Sequence, residues 1–244
     1  MDSQHANWRA VWNRRGFRDE GGLDLDALIQ LDGFDVGAGL VTAEDWCAHA
    51  ALVVRRLGVE TGHSVFEFGC GAGAFLKAIS ACVEVSVGGV DYSEPLLHTA
   101  RRALPGGDFR LGDAADFCGR RDCDFTLAHA VLHYFDLRHA EAVVARMVEK
   151  SRVAACILDV PDADLREQSE QVRREKLTVE EYERRYAGLP HTYYSRSWFR
   201  GLAQKLEVDC EVFDGQMSGY AQRAFRFGVI LRKRAEETPS RRGV

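Results

Sequence analysis

The chain has 244 residues, 46% of them hydrophobic, enough for one sizeable domain with an appendage and too few for two full domains. Acids outnumber bases by 37 to 32, and the resulting net charge of -5 argues against a general attraction to nucleic acid or to an anionic membrane. No apolar run approaches the roughly 20 residues of a membrane span, and the opening "MDSQHANWRAVWNRRGF" lacks the charged-then-apolar pattern of an export signal, so a cytoplasmic setting is expected. The 7 cysteines are scattered, odd in number and never spaced C-x-x-C, so neither a disulfide framework nor a metal centre is indicated.

In chain order, "NWRAVWNRRG" comes first and places Trp8 and Trp12 four residues apart, on one helical face. "DLDALIQLDGFDVGAGL" reads as a mixed apolar and loop segment. Thr42 has the character of an N-cap, with Asp45 in the capping-box position, for a helix through "WCAHAALVVRRL" that Gly58 ends. From His63 onward the pattern alternates. "SVFEF" reads as a strand and "AFLKAISACV" as a helix; "VSVGGVD" is the next strand and "PLLHTARRAL" the next helix. "DFRL" is a short strand, "DFTLAHA" an apolar one, "RHAEAVVARMVEK" an amphipathic helix and "VAACILDVP" a strand buried on both faces. Strands alternating with helices predict an α/β protein, a parallel sheet with helices on both faces. The charged stretch "ADLREQSEQVRREKLTVEEYERRYAG" reads as surface helices or a lid. "RSWFRGLAQKL" is amphipathic helix, "EVDCEVFDGQ" and "FRFGVILRK" are final strands expected to pair antiparallel, and the polar tail is expected to be disordered.

The chemistry gathers at the strand ends. "EFGCGAG" joins a strand to a helix through Gly69, Gly71 and Gly73, which lets backbone amides approach a ligand closely. The spacing is G-x-G-x-G, unlike the G-x-G-x-x-G of nicotinamide sites. Glu67, two residues before the first glycine, would repel a phosphate and suit a cation. Asp91 ends the next strand, about 20 residues on, where an acid can accept from a ribose diol. Its other reading is a helix N-cap, a role that Ser93 fills equally well. Asp113, after the third strand, can accept from an exocyclic adenine amine while the Ala114 amide donates to the ring; its other reading is a turn aspartate.

In this order "EFGCGAGAF", "GVDYS", "GDAADF" and "LAHAVLHYF" resemble the class I S-adenosylmethionine-dependent methyltransferases, over roughly Glu44 to Asp162. The end segments, "W…W…RG" and "HTYYSRSWF", are similar to those of bacterial small-molecule members. The resemblance implies a Rossmann-like seven-stranded, mostly parallel sheet with an antiparallel last strand, helices on both faces and an N-terminal helical lid. The organisation expected is a helical extension or lid over 1–43, a methyltransferase domain over 44–234 with a helical insertion at about 163–188, and a tail over 235–244. The cofactor implied is S-adenosyl-L-methionine. It would be held by Glu67, Phe68, Gly69, Cys70, Gly71 and Gly73, by Asp91, Tyr92 and Ser93, and by Asp113, Ala114 and His129, with no metal. Cys70 reads as a small space-filler rather than a reactive thiol.

On the acceptor side, His133 and Asp162 are the candidate catalytic residues, each with capping or packing as its rival role. Asp159 lies on the other side of Pro161 from Asp162. Trp8, Trp12, His191, Tyr193 and Tyr194 are candidates for binding the acceptor, and Arg14 and Arg15 for meeting an anionic one. The expected activity is methyl transfer to a small molecule, with oxygen favoured, by a monomer or homodimer that engages neither nucleic acid nor membrane. The alternatives are a nicotinamide-dependent oxidoreductase and a non-catalytic cofactor-binding protein of the same fold.

Overall fold

The computed structural model describes residues 3–15, 23–34, 39, 41–117, 122–175 and 178–234. Seven strands form one sheet: β1 (Ser64–Phe68), β2 (Ser86–Asp91), β3 (Asp108–Leu111), β4 (Cys123–His129), β5 (Ser151–Pro161), β6 (Val208–Asp214) and β7 (Arg226–Lys233). Their order is β3-β2-β1-β4-β5-β7-β6. Pairings are parallel from β3 through β5, and β7 runs antiparallel to both β5 and β6. The reversed strand and the helices on both faces are the expected architecture. The strand order turns back between β1 and β4, and in open α/β sheets ligands bind outside the carboxyl ends of the strands at such a point.

Nine described helices flank the sheet: α1 (Ser3–Trp12), α2 (Leu25–Leu31), α3 (Ala43–Leu57), α4 (Ala74–Cys82), α5 (Glu94–Ala103), α6 (Leu137–Lys150), α7 (Arg166–Arg174), α8 (Val179–Tyr186) and α9 (Arg196–Lys205). The capping signals decide several boundaries. Thr42 and Asp45 form the reciprocal capping box of α3, and Gly58 ends that helix in the left-handed region. One face of the sheet packs α2, α3, α4 and α5 through Trp46, Phe75, Ile79 and Leu97. The other packs α6 and α9 through Phe135, Val143, Met147, Phe199 and Phe227. None of the described helices is long and apolar enough to cross a membrane.

The segment read as mixed loop contains α2, whose N-cap Asp24 accepts from the Ala27 amide at 2.8 Å. Leu28 and Ile29 are fully buried in the core of the sheet, so the N-terminal extension is part of the main hydrophobic assembly. The three helices before β1 lie ahead of the sheet, and α1 covers the carboxyl ends of the strands as a lid. The tail over 235–244 lies outside the described residues.

A β-bulge interrupts β5 between Ile157 and Val160, where its register against β7 shifts. Within it Asp159 adopts a positive φ of 58°, an expensive conformation for a residue with a side chain. Such a bulge re-aims the residues that follow it.

Candidate active site

The glycine loop is built by close packing. The amides of Gly69 and Cys70 both donate to the Val90 carbonyl, which pins the turn onto the end of β2. A Cβ at Gly89 would stand 2.5 Å from the Cys70 Cβ and 3.0 Å from the Glu67 carbonyl, so β2 must be bare there for the loop to seat. Gly71 has φ 51°, and a Cβ on it would fall on the Asp32 carboxylate. The loop therefore needs glycine for its backbone and for its neighbour.

Two carboxylates hold this loop. Asp91 accepts from the Gly71 amide at 2.9 Å and from the Ser93 amide at 2.8 Å. Asp32, which the sequence reading missed, accepts from the Ala72 amide at 2.6 Å and the Ala74 amide at 3.0 Å. It sits at the amino end of α4, where unpaired amides and the helix dipole favour an anion. Burial nevertheless lifts its pKa to about 7, against the lowering effect of those two amides. Glu67, central in the sheet between Gly89 and Leu127, is 3% exposed, and its Oε2 has no hydrogen-bond partner among the described residues. Burial, then the nearby charges of Asp32 and Asp91, push its pKa well above the ordinary value.

These residues line a cleft of about 510 Å³, its open mouth included. Of the residues expected to hold a cofactor, Glu67, Gly69, Cys70, Gly71, Asp91, Tyr92 and His129 line it. Burial raises the Cys70 thiol pKa well above its ordinary value, which keeps it protonated and unreactive. His129 stacks on Phe75 at 4.5 Å and on Phe34 at 5.6 Å, and burial holds it neutral. The other expected residues stand behind the cleft. Phe68 is fully buried on the opposite face of the sheet. Gly73 begins α4 against Ala100. Ser93 is the N-cap of α5, but its hydroxyl donates to the Trp12 carbonyl at 3.2 Å. Asp113 accepts from the Ala115 amide at 2.9 Å and faces His139 at 3.0 Å, with Ala114 buried beside it.

A second cleft, about 980 Å³ including its open mouth, adjoins the first. The two share Trp12, Asp32, Phe34, Ala130 and Tyr134. Trp8 and His191, read as acceptor-binding candidates, and His133, read as a catalytic candidate, line the second cleft. Trp8 closes α1 over it: its indole donates to the Pro190 carbonyl at 3.0 Å and stacks on His191 at 5.0 Å. Tyr193 faces an outer groove beside α7 and α8, with its hydroxyl 3.5 Å from Ser169. Tyr194 is wholly buried and donates to the Leu132 and Phe135 carbonyls, an anchor for its loop.

The acid on β5 that faces this cleft is Asp159 rather than Asp162. Asp162, the expected catalytic acid, accepts from the Asp164 amide, pairs with Arg196 at 2.9 Å and lines neither cleft, so the contacts it makes are structural ones. The bulge explains the exchange, because one extra residue reverses which side chains face which way. Further lining residues that the sequence reading did not single out are Tyr134, Arg173, Tyr220 and Arg226. Of these, Arg226 opens β7 beside a bulged strand, a position visible only once the pairing is known.

Residues 65–152 match the family model described as a methyltransferase domain. It is 29% identical over 143 residues to a trans-aconitate 2-methyltransferase of Methylobacterium nodulans, covering 58% of this chain and 54% of that one. A second trans-aconitate 2-methyltransferase, of Methylobacterium radiotolerans, is 35% identical over 86 residues, covering 35% of this chain and 33% of that one. The chain thus spans about half or less of the length of these curated relatives. Among solved structures, the plantazolicin methyltransferase BpumL in complex with SAH aligns at a TM-score of 0.61 with 15% identity, over 95% of this chain and 98% of that one. The magnesium protoporphyrin IX methyltransferase of Synechocystis PCC 6803 with bound SAM aligns at 0.60 with 15% identity, over 96% and 98%. At such identities the likeness is one of fold.

Proposed function

We propose that this chain is a methyltransferase that takes its methyl group from S-adenosyl-L-methionine and gives it to a small molecule, with oxygen the favoured acceptor atom. The observation that carries this reading is the partnerless, buried Glu67 oxygen, set between Asp32 and Asp91 at a glycine loop. Three carboxylates in a desolvated cleft repel one another and call for a cation. A donor with a sulfonium and an ammonium group answers that need. A dinucleotide, which brings phosphates, would add to the repulsion, so the nicotinamide reading loses its support.

The residues present fit that donor. Glu67 and the loop from Gly69 to Gly71 would receive its methionine part, with His129 alongside. Asp91 would accept from the ribose through the lone pairs that its two amide contacts leave. Tyr92, with Asp113 and Ala114 behind it, would receive the adenine. When bound, the donor supplies a methyl carbon to which an acceptor lone pair bonds while the carbon–sulfur bond breaks and its electron pair leaves on sulfur. The chain's own contribution is alignment and exclusion of water. Trp12, Phe34 and Tyr134 form the aromatic passage between the clefts, and α1 closes the roof. His133 has an unpartnered Nδ1, and burial together with His191, Arg226 and Arg173 keeps it neutral, so it can accept a hydrogen bond from an acceptor hydroxyl. The curated relatives, named for a small acid, support a metabolite as acceptor. The six described cysteines, all free, support a reducing cytoplasm.

The test is thermal unfolding with and without S-adenosylhomocysteine, followed by transfer of a labelled methyl group to metabolite mixtures. Ligand at about a hundred times its Kd adds about 2.7 kcal/mol to stability and raises Tm. The absence of any shift at saturating ligand would overturn the proposal. A shift without turnover on any acceptor would leave a binding protein of the same fold.

A further inference from the structure

We infer that the acceptor is a small carboxylic acid, and that the buried guanidinium of Arg226 seats its carboxylate in the second cleft. The inference rests on the methyltransferase reading and goes further, to the acceptor's chemistry. Arg226 is 4% exposed, yet its Nε and Nη1 have no hydrogen-bond partner among the described residues. Its nearest carboxylate, Asp159, is 3.6 Å away at Nε, too far for a hydrogen bond, and Asp159 also accepts from the Tyr220 hydroxyl at 3.2 Å. A buried guanidinium with two open donor positions is expensive unless something fills them. A second guanidinium, Arg173, lines the same cleft and contacts the His191 ring. The acids lining this cleft are Asp159 and Asp32. Asp32 is at the end shared with the glycine loop and spends both oxygens on the Ala72 and Ala74 amides. Asp159 is therefore one carboxylate with two guanidiniums, Arg226 and Arg173, acting on it.

The fixed frame around Arg226 suits a ligand carboxylate. Asp159 is locked in a strained conformation on the β5 bulge, and holds the guanidinium from one side only. Burial disfavours the charge of Arg226, but Asp159 and the phenol oxygens of Tyr220, Tyr193 and Tyr134 outweigh it, and its pKa is raised. A planar fork that remains charged binds a carboxylate through two parallel hydrogen bonds, which an amide or ester cannot match. Arg226 lines the second cleft but not the glycine-loop cleft. The carboxylate it seats would thus anchor the acceptor and leave its reactive end toward Trp12 and Tyr134.

The experiment compares matched probes on the full chain loaded with S-adenosylhomocysteine: succinate with succinamide, and benzoate with benzamide, read by calorimetric titration. At least one acid should bind about tenfold or more tightly than its amide, and Arg226→Gln should remove that preference while S-adenosylhomocysteine still binds. Should Arg226→Gln fail to fold because it strands Asp159, the double variant Arg226→Gln/Asp159→Asn removes the pair together and answers the same question. Equal binding of acids and amides, no binding of either acid, or an acid preference that survives loss of Arg226 would each overturn the inference. The outcome is separable from the methyltransferase reading, which stands or falls on S-adenosylhomocysteine binding.

Discussion

The two clefts are neighbours that share five lining residues and have opposite chemistry. The glycine-loop cleft gathers Asp32, Glu67 and Asp91 around backbone amides. The second gathers Arg15, Arg173 and Arg226 among aromatic rings and neutral histidines. A band of Trp12, Phe34 and Tyr134 stands between them. The lesson is that net charge describes neither site. A chain of net charge -5 sorts its charges over a short distance, acids at the glycine loop and arginines in the neighbouring cleft.

The contrast breaks most completely at Gly71. Gly71→Val forces a β-branched side chain into a positive φ and onto the Asp32 carboxylate, so binding of S-adenosylhomocysteine should fall below detection in titration of the folded variant. Normal affinity would mean that the loop does not receive the ligand. Next in size is the pH dependence of the ligand-free protein. The pKa of Asp32 is about 7 in the folded chain and 3.8 ordinarily. Between those values the native state keeps a proton that the unfolded state has lost, so stability falls as pH rises from about 4 to about 7 and then levels off. The full effect is about 4 kcal/mol at most, and Glu67 and Asp91, whose pKa values are also raised, tilt the slope the same way. Urea unfolding across that window checks it, and Asp32→Asn should flatten the curve.

Glu67→Gln sharpens the comparison at a smaller scale. It keeps the shape and removes the charge, so affinity for S-adenosylmethionine should drop about tenfold, roughly 1.4 kcal/mol. The drop for S-adenosylhomocysteine, which lacks the sulfonium charge, should be smaller. Equal losses would remove the electrostatic basis of the donor cleft. The smallest effect belongs to the roof. Trp8→Phe deletes the indole hydrogen bond to the Pro190 carbonyl and should cost about 1 kcal/mol in stability. It should spare S-adenosylhomocysteine binding while raising hydrogen exchange in α1 and around residues 188–191. Unchanged exchange would reduce the roof to passive packing.

How much of this was legible in the sequence depended on how local the cause was. The glycine loop, Asp91 and the Thr42–Asp45 box are written in adjacent residues whose geometry leaves little choice, and each stands where the motif placed it. Asp32 was not legible. In "QLDGF" it looks like an ordinary helix end, and its role arises only when α2 docks on α4 through Leu28 and Ile29. Asp159 and Asp162 stand on either side of Pro161, and the bulge that decides which of them faces the cleft is announced by no residue. Arg226 begins an apolar strand, where an arginine usually marks a solvated edge, and its burial follows from the antiparallel pairing with β5.

The Ser93 hydroxyl that donates to the Trp12 carbonyl has a consequence for how the two ligands sense each other. The Ser93 amide donates to Asp91, and Trp12 forms a wall of both clefts. Whatever steadies one end of that chain of contacts steadies the other. Linkage then makes the effect mutual: by whatever factor the donor product tightens the grip on the acceptor, the acceptor must tighten the grip on the donor product. Positive coupling of that kind would favour the ternary complex over either binary one, and would loosen the second ligand once the first has gone.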